Sequence, residues 1–205
     1  MVFCITRRRL IGIGAAAASC ALAPSALASP RPPLPLPPGD RRAAAAAGAT
    51  LSDAARELRL LNTHTGEKLK IVYWTAGRYE PDALQELAHL LRDHRSNEMH
   101  EIDPALLDTL YTLRLKLDTN ESIHIISGYR SPTTNARMRE ANAGVAKKSY
   151  HMRGMAVDIR VPGRDLSRLR NAALDIGHGG VGYYPRSDFI HVDVGPVRQW
   201  GTRSA

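Results

Sequence analysis

The chain has 205 residues, 43% of them hydrophobic, with 28 Lys and Arg against 20 Asp and Glu and a formal net charge of +8. This length suits a single ordinary domain. The basic excess carries no Lys/Arg run interleaved with aromatics, which argues against a nucleic-acid groove.

The first fifty residues read as processing and tether rather than core. Thr6-Arg7-Arg8-Arg9-Leu10-Ile11 places paired arginines ahead of an Ala- and Gly-rich apolar stretch, and Ala26-Leu27-Ala28 supplies a small-residue cleavage pattern. A twin-arginine signal peptide is therefore expected over 1–28, with membrane contact only during export and a periplasmic destination. A retained anchor and lipidation at Cys20 are the alternatives. Loss of Arg7, Arg8 and Arg9, with no acid removed, lowers the charge from +8 to +5. Cys4 and Cys20 both fall in the signal, so the mature chain has neither disulfide nor Cys nucleophile, and any metal must be held by His, Asp or Glu. A Pro- and Ala-rich linker follows over 29–50, beginning Ser-Pro-Arg-Pro-Pro, and a single folded domain is expected over 51–205.

Glu57–Asn62 and Leu69–Trp74 flank His64-Thr65-Gly66-Glu67 as two strands flank a turn. Helices are expected over Pro81–Arg92, with Leu84, Leu87, Leu90 and Leu91 at helical spacing, and after Asp103-Pro104, with Leu106, Leu107, Leu110, Leu113 and Leu117 as its apolar face. A strand over Ile123–Ile126 and short helices over Thr134–Asn142 and Asp165–Asp175 follow. Helices succeeded by short strands, without regular βαβ alternation, predict an α+β single domain with a largely antiparallel sheet and helices packed on one side.

Two strands carry the chemistry. In Met155–Val161, Val157, Ile159 and Val161 face one way while Ala156, Asp158 and Arg160 face the other; in Phe189–Val194, Ile190, Val192 and Val194 face the core and His191 with Asp193 face away. Paired in one sheet, these strands would bring Asp158 and His191 together, and His151, just before the first strand, could bend over to join them. Gly154 would allow close backbone approach, and Ala156 would leave room on the site face. Two imidazoles and a carboxylate leave a fourth position free, as catalytic zinc sites do. Singly, each of these residues has an ordinary structural reading as a surface or capping group. His64, His100, His124 and His178 are assigned such roles. Ser127 and Ser149 lie in no G-x-S-x-G elbow.

His151-x6-Asp158 with a later His191 resembles the zinc pattern of the LAS metallopeptidases. Ser127-Gly128-Tyr129-Arg130-Ser131-Pro132, Asn135, Lys147-Lys148-Ser149-Tyr150-His151, Gly180-Val181-Gly182-Tyr183-Tyr184-Pro185 and the closing Gly195–Trp200 resemble the exported murein endopeptidase branch called YcbK-like. The resemblance runs from about Leu58 to Trp200. It implies Zn2+ on His151, Asp158 and His191, and Arg130 holding substrate or the developing oxyanion. It also implies a general base at Asp188, three residues before the last histidine. Asp193 competes, as base or as the residue that orients a ligand. The expected partner is peptidoglycan, cut at cross-link amides by a monomeric enzyme. Trimming of stem peptides by a DD-carboxypeptidase, or wall binding by a non-catalytic zinc module, is the alternative.

Overall fold

The computed structural model describes residues 54–142 and 144–201, so the expected signal peptide and linker lie outside the described residues. The described elements are β1 (Arg56–Asn62), β2 (Lys68–Thr75), β3 (Arg78–Tyr79), α1 (Pro81–Leu90), α2 (Pro104–Lys116), β4 (Ile123–Ser127), α3 (Pro132–Ala141), β5 (Ala156–Arg160), α4 (Leu166–Leu174), β6 (Gly180–Tyr184), β7 (Phe189–Asp193) and β8 (Arg198–Gly201). Short 3-10 turns cover Tyr150–Arg153 and Pro185–Ser187.

All the strands join one sheet in the order β3-β2-β1-β4-β5-β7-β6-β8. Only β1–β4 and β6–β8 pair in parallel, so the α+β fold with a largely antiparallel sheet is as the pattern predicted. The opening hairpin forms as expected, its turn closed by Gly66 N–H donating to the Asn62 carbonyl at 2.9 Å. Helix starts follow from their caps. Asp103 accepts from the Ala105 amide at 3.0 Å ahead of Pro104, and Ser131 accepts from the Thr134 amide at 3.2 Å ahead of Pro132.

Strand parity sorts the two faces of the sheet. Val157, Ile159, Ile190 and Val192 are buried in a core built with Leu87 and Leu91 near α1, Leu106, Leu107 and Leu110 of α2, and Leu169 of α4. Helix α3 contributes nothing to that core, and its Met138 lines a cleft on the other face. The helix-covered face also holds a buried ion pair, Arg56 with Asp108. Asp108 of α2 accepts from Arg56 Nη1 at 2.7 Å, Tyr73 Oη at 2.9 Å and Tyr79 Oη at 2.8 Å, so both its oxygens are occupied by donors.

Neither β6 nor β8 was read as a strand from sequence. Glycine weakens β propensity, and Gly180-Val181-Gly182 lacks the side chains that make alternation visible.

Candidate metal centre

The site is a row of residues lying side by side across the sheet. A bulge between Ile125 and Ser127 brings Ser127 opposite Asp158; Asp158 pairs with His191, His191 with Gly182, and Gly182 with Trp200. Just beyond the bulge, the Gly128 carbonyl meets the 3-10 turn carrying His151. There the His151 Nδ1–H donates to Gly128 at 2.8 Å, which leaves Nε2 facing Asp158 and His191.

Three ligand atoms converge: His151 Nε2 lies 3.1 Å from His191 Nδ1 and 3.3 Å from Asp158 Oδ1, and His191 Nδ1 lies 2.9 Å from Asp158 Oδ1. All three residues are buried. Ligands about 2.0–2.1 Å from a tetrahedral ion stand roughly 3.3 Å apart, so both the donor set and its spacing fit zinc. The electrostatics agree with a place for positive charge. Burial alone would raise the Asp158 carboxyl, yet the adjacent imidazoles, His151 first and then His191, hold it well below the usual carboxylate range whenever they carry a proton towards it. Burial would lower His191, yet its bonds to Asp158 and Asp193 push it above the ordinary histidine value.

The cleft over these atoms has a volume of about 630 Å³. Arg130, Lys148 and Arg198 supply its cations, Tyr184, Phe189 and Trp200 its aromatic side, and Asp158 is its one carboxylate.

The peptidase M15_2 family model, described as Peptidoglycan L,D-endopeptidase MepK, matches residues 50–200. The chain belongs to this family. Among similar proteins, the Peptidoglycan L,D-endopeptidase MepK of Escherichia coli (strain K12) is 48% identical over 153 residues, covering 74% of this chain and 84% of that protein. The Probable peptidoglycan L,D-endopeptidase MepK of Haemophilus influenzae is 44% identical over 146 residues, covering 71% of this chain and 78% of that protein. The resemblance to murein endopeptidases is thereby borne out.

Around this cluster the remaining candidates are placed unequally. Arg130 is 7% exposed and reaches Asp158 Oδ2 only at 3.8 Å. Its other contacts, to Asn135 Oδ1 and Ser127 Oγ, are each 3.5 Å long, and its Nε has no partner among the described residues. Buried guanidinium donors left so loosely held on a cleft wall are available to a substrate oxygen.

Asp193 is fully buried and its acceptor positions are taken. Oδ2 accepts from His191 Nε2 at 3.0 Å, and Oδ1 accepts from the amides of Gly180 at 3.1 Å and Gly195 at 2.8 Å. That arrangement suits orienting an imidazole, because the Nε2–H bond fixes the tautomer and leaves Nδ1 for a ligand. Asp188 is not among the residues that line the cleft; it lies just before β7 in the left-handed backbone region, with φ of 53°, its side chain 66% exposed and 3.2 Å from Arg160.

Gly154 behaves differently from the expectation. It does adopt a left-handed φ of 63°, but the Glu101 carbonyl occupies the space beside it, so the close approach is made by protein backbone rather than by a ligand. His178 is exposed and lines a second cavity of about 520 Å³ that shares Tyr150 with the cleft and contains none of the three candidate ligands.

Sequence reasoning missed Asp93. Its carboxylate accepts from the Ser131 amide at 2.9 Å and from the Arg95 amide at 2.9 Å, pinning the loop that carries Arg130. The Arg95 contact is a local turn, and nothing in the local pattern marks the functional one, since Ser131 is 38 residues away.

Proposed function

We propose that the chain is a zinc-dependent peptidoglycan endopeptidase that hydrolyses an amide of the peptide cross-link, exported by the twin-arginine route to the periplasm. The convergence of His151 Nε2, Asp158 Oδ1 and His191 Nδ1 beneath a cationic cleft carries this reading. Membership of the M15_2 family supports the substrate, and the names of the relatives favour a bond between an L- and a D-centre. A zinc ion held by His151, Asp158 and His191 supplies a lowered water pKa and polarisation of the scissile carbonyl.

The chain's own residues supply the rest. Arg130 offers its loosely held donors to the carbonyl oxygen as that oxygen becomes anionic. Asp188 takes a proton from the attacking water and returns it to the leaving amine, so that one water is consumed as the amide C–N bond breaks. Its ion pair with Arg160 is exposed on both sides, hence weak, and leaves the carboxylate free to swing towards the cleft. Asp193 holds the His191 ring.

Purified sacculi digested with zinc-loaded protein, chelated protein and His151→Ala test the proposal. New cross-link fragments from the loaded wild type alone are expected. Release of only a terminal residue would convert the reading to a carboxypeptidase, and retention on sacculi without any product would convert it to a binding module. Asp188→Ala is expected to lose turnover while keeping zinc; full activity in that variant would remove Asp188 as the base.

A further inference from the structure

We propose that Arg198 is a positioning residue of the metal centre, holding the two ligand-bearing elements, β7 and the 3-10 turn, at the separation a cation requires. The proposal rests on the reading of His151, Asp158 and His191 as ligands.

Arg198 lies on the edge strand β8, yet it is held from several directions. Its Nη2 meets Asp193 Oδ2 at 2.6 Å, its Nη1 meets Asp193 Oδ1 at 3.1 Å, and Nη1 also donates to the Pro196 carbonyl at 3.0 Å. This fork-to-carboxylate geometry is one a lysine cannot reproduce. The pair differs from an ordinary surface ion pair, because the Asp193 side chain is 0% exposed and Arg198 is the cation that compensates its burial. Asp193 in turn accepts from His191 Nε2, so Arg198 acts on one ligand through one intermediate.

The same guanidinium also reaches the other ligand's support. Its carbon stands 5.1 Å from the ring centre of Tyr150 and 5.0 Å from that of Trp200. Tyr150 directly precedes His151 in the 3-10 turn, and the Trp200 ring lies 5.1 Å from the His191 ring. Arg198, its own side chain 39% exposed, thus bridges the turn that presents His151 and the strand that presents His191.

Strand β6, which separates β7 from β8, is made to permit this. A Cβ on Gly180 would stand 2.6 Å from Arg198 Nη1 and 2.6 Å from Asp193 Oδ2, and one on Gly182 would stand 2.6 Å from the Trp200 ring. Side chains at both positions would push Arg198 and Trp200 off β7. The Gly180-Val181-Gly182 spacing therefore has a use in the site although neither glycine carries a functional group.

The test uses Arg198→Met, Arg198→Lys and Gly180→Ala. Zinc affinity is measured by competition with a chromophoric chelator, ligand geometry by the visible spectrum of the cobalt-substituted protein, and kcat and KM on cross-linked muropeptides. Arg198→Met is expected to weaken zinc binding by about 10–100-fold and to alter the cobalt spectrum. Arg198→Lys should recover only part of the affinity, and Gly180→Ala should move both readouts in the same direction as Arg198→Met.

Unchanged zinc affinity and cobalt spectrum in folded Arg198→Met overturn the proposal, including the case in which only KM rises and Arg198 proves to be a substrate contact. Should Arg198→Met fail to fold, unchanged readouts in Gly180→Ala overturn it instead. Equal metal binding by wild type and His151→Ala would sink the ligand assignment itself and this inference with it, a result distinct from a failure confined to Arg198.

Discussion

Asp108 and Asp158 are both buried carboxylates packed against the same sheet, Asp108 on its helix-covered face and Asp158 on the cleft face. Around Asp108, one guanidinium and two phenol hydroxyls supply donors to both oxygens. Around Asp158, two imidazole nitrogens crowd one oxygen at 2.9 and 3.3 Å, and the nearest guanidinium stays 3.8 Å from the other. A cluster closed by its own donors is complete as it stands. A cluster of lone pairs facing one another is complete only with a proton or a cation among them, and this difference separates a structural polar core from a site.

Two substitutions should split the clusters most sharply. His151→Ala is expected to lower kcat/KM by roughly a thousandfold or more, about 4 kcal/mol of transition-state stabilisation. It should also abolish the thermal stabilisation by zinc, which for the wild type reaches about 4 kcal/mol at a free concentration a thousand times the dissociation constant. Asp108→Asn should do the reverse, costing about 3–5 kcal/mol of unfolding free energy by stranding Arg56 while zinc affinity stays that of the wild type. Denaturant melts and zinc titrations of both variants would break the comparison if Asp108→Asn lost metal or His151→Ala kept it.

How much of this was legible in the sequence depended on side chains that alternate. Val157 and Ile159 against Asp158, and Ile190 and Val192 against His191, announced both strands and their polar face, and the register puts Asp158 opposite His191. The glycines of β6 hid their strand because period-two reading needs side chains to read. Arg198 and Asp93 were invisible as functional residues for another reason. Each acts through a partner chosen by tertiary packing, Asp193 across β6 for one and the Ser131 amide for the other. The bulge at Ile126, which aligns Ser127 with Asp158, likewise has no local composition signal.

Smaller effects sharpen the contrast within the cleft. Arg130→Lys keeps the charge but loses the fork, and a fall in kcat of about 10²–10³-fold with unchanged zinc affinity is expected, as for loss of one oxyanion donor. Steady-state kinetics beside a zinc titration check it; a loss of metal instead would make Arg130 part of the ligand support. Asp93→Asn leaves one backbone amide of its pair unmet and should cost about 1–3 kcal/mol of stability, read by denaturant unfolding. The activity loss should be smaller than that of Arg130→Lys, since the guanidinium itself is retained.

The weakest effect, and the one with a diagnostic sign, is pH. In the metal-free protein His191 is raised above its ordinary value, despite burial, by Asp158 and Asp193, while both carboxylates are held below theirs. A raised base stabilises the fold fully below its unfolded pKa of about 6.5 and loses that contribution as pH rises through the folded value. The depressed carboxylates stabilise above about 3.9 and lose that contribution as pH falls through their folded values. Metal-free protein should accordingly be most stable between those limits and decline on the alkaline side. Zinc binding needs His191 deprotonated, so its affinity should rise over the interval in which the metal-free fold weakens. Thermal melts across pH with chelator and with excess zinc should therefore slope in opposite directions through the titration of His191. Parallel slopes would mean that the His191 proton and the metal do not compete for the same nitrogen, and that the lone pairs of this cluster are satisfied in some other way.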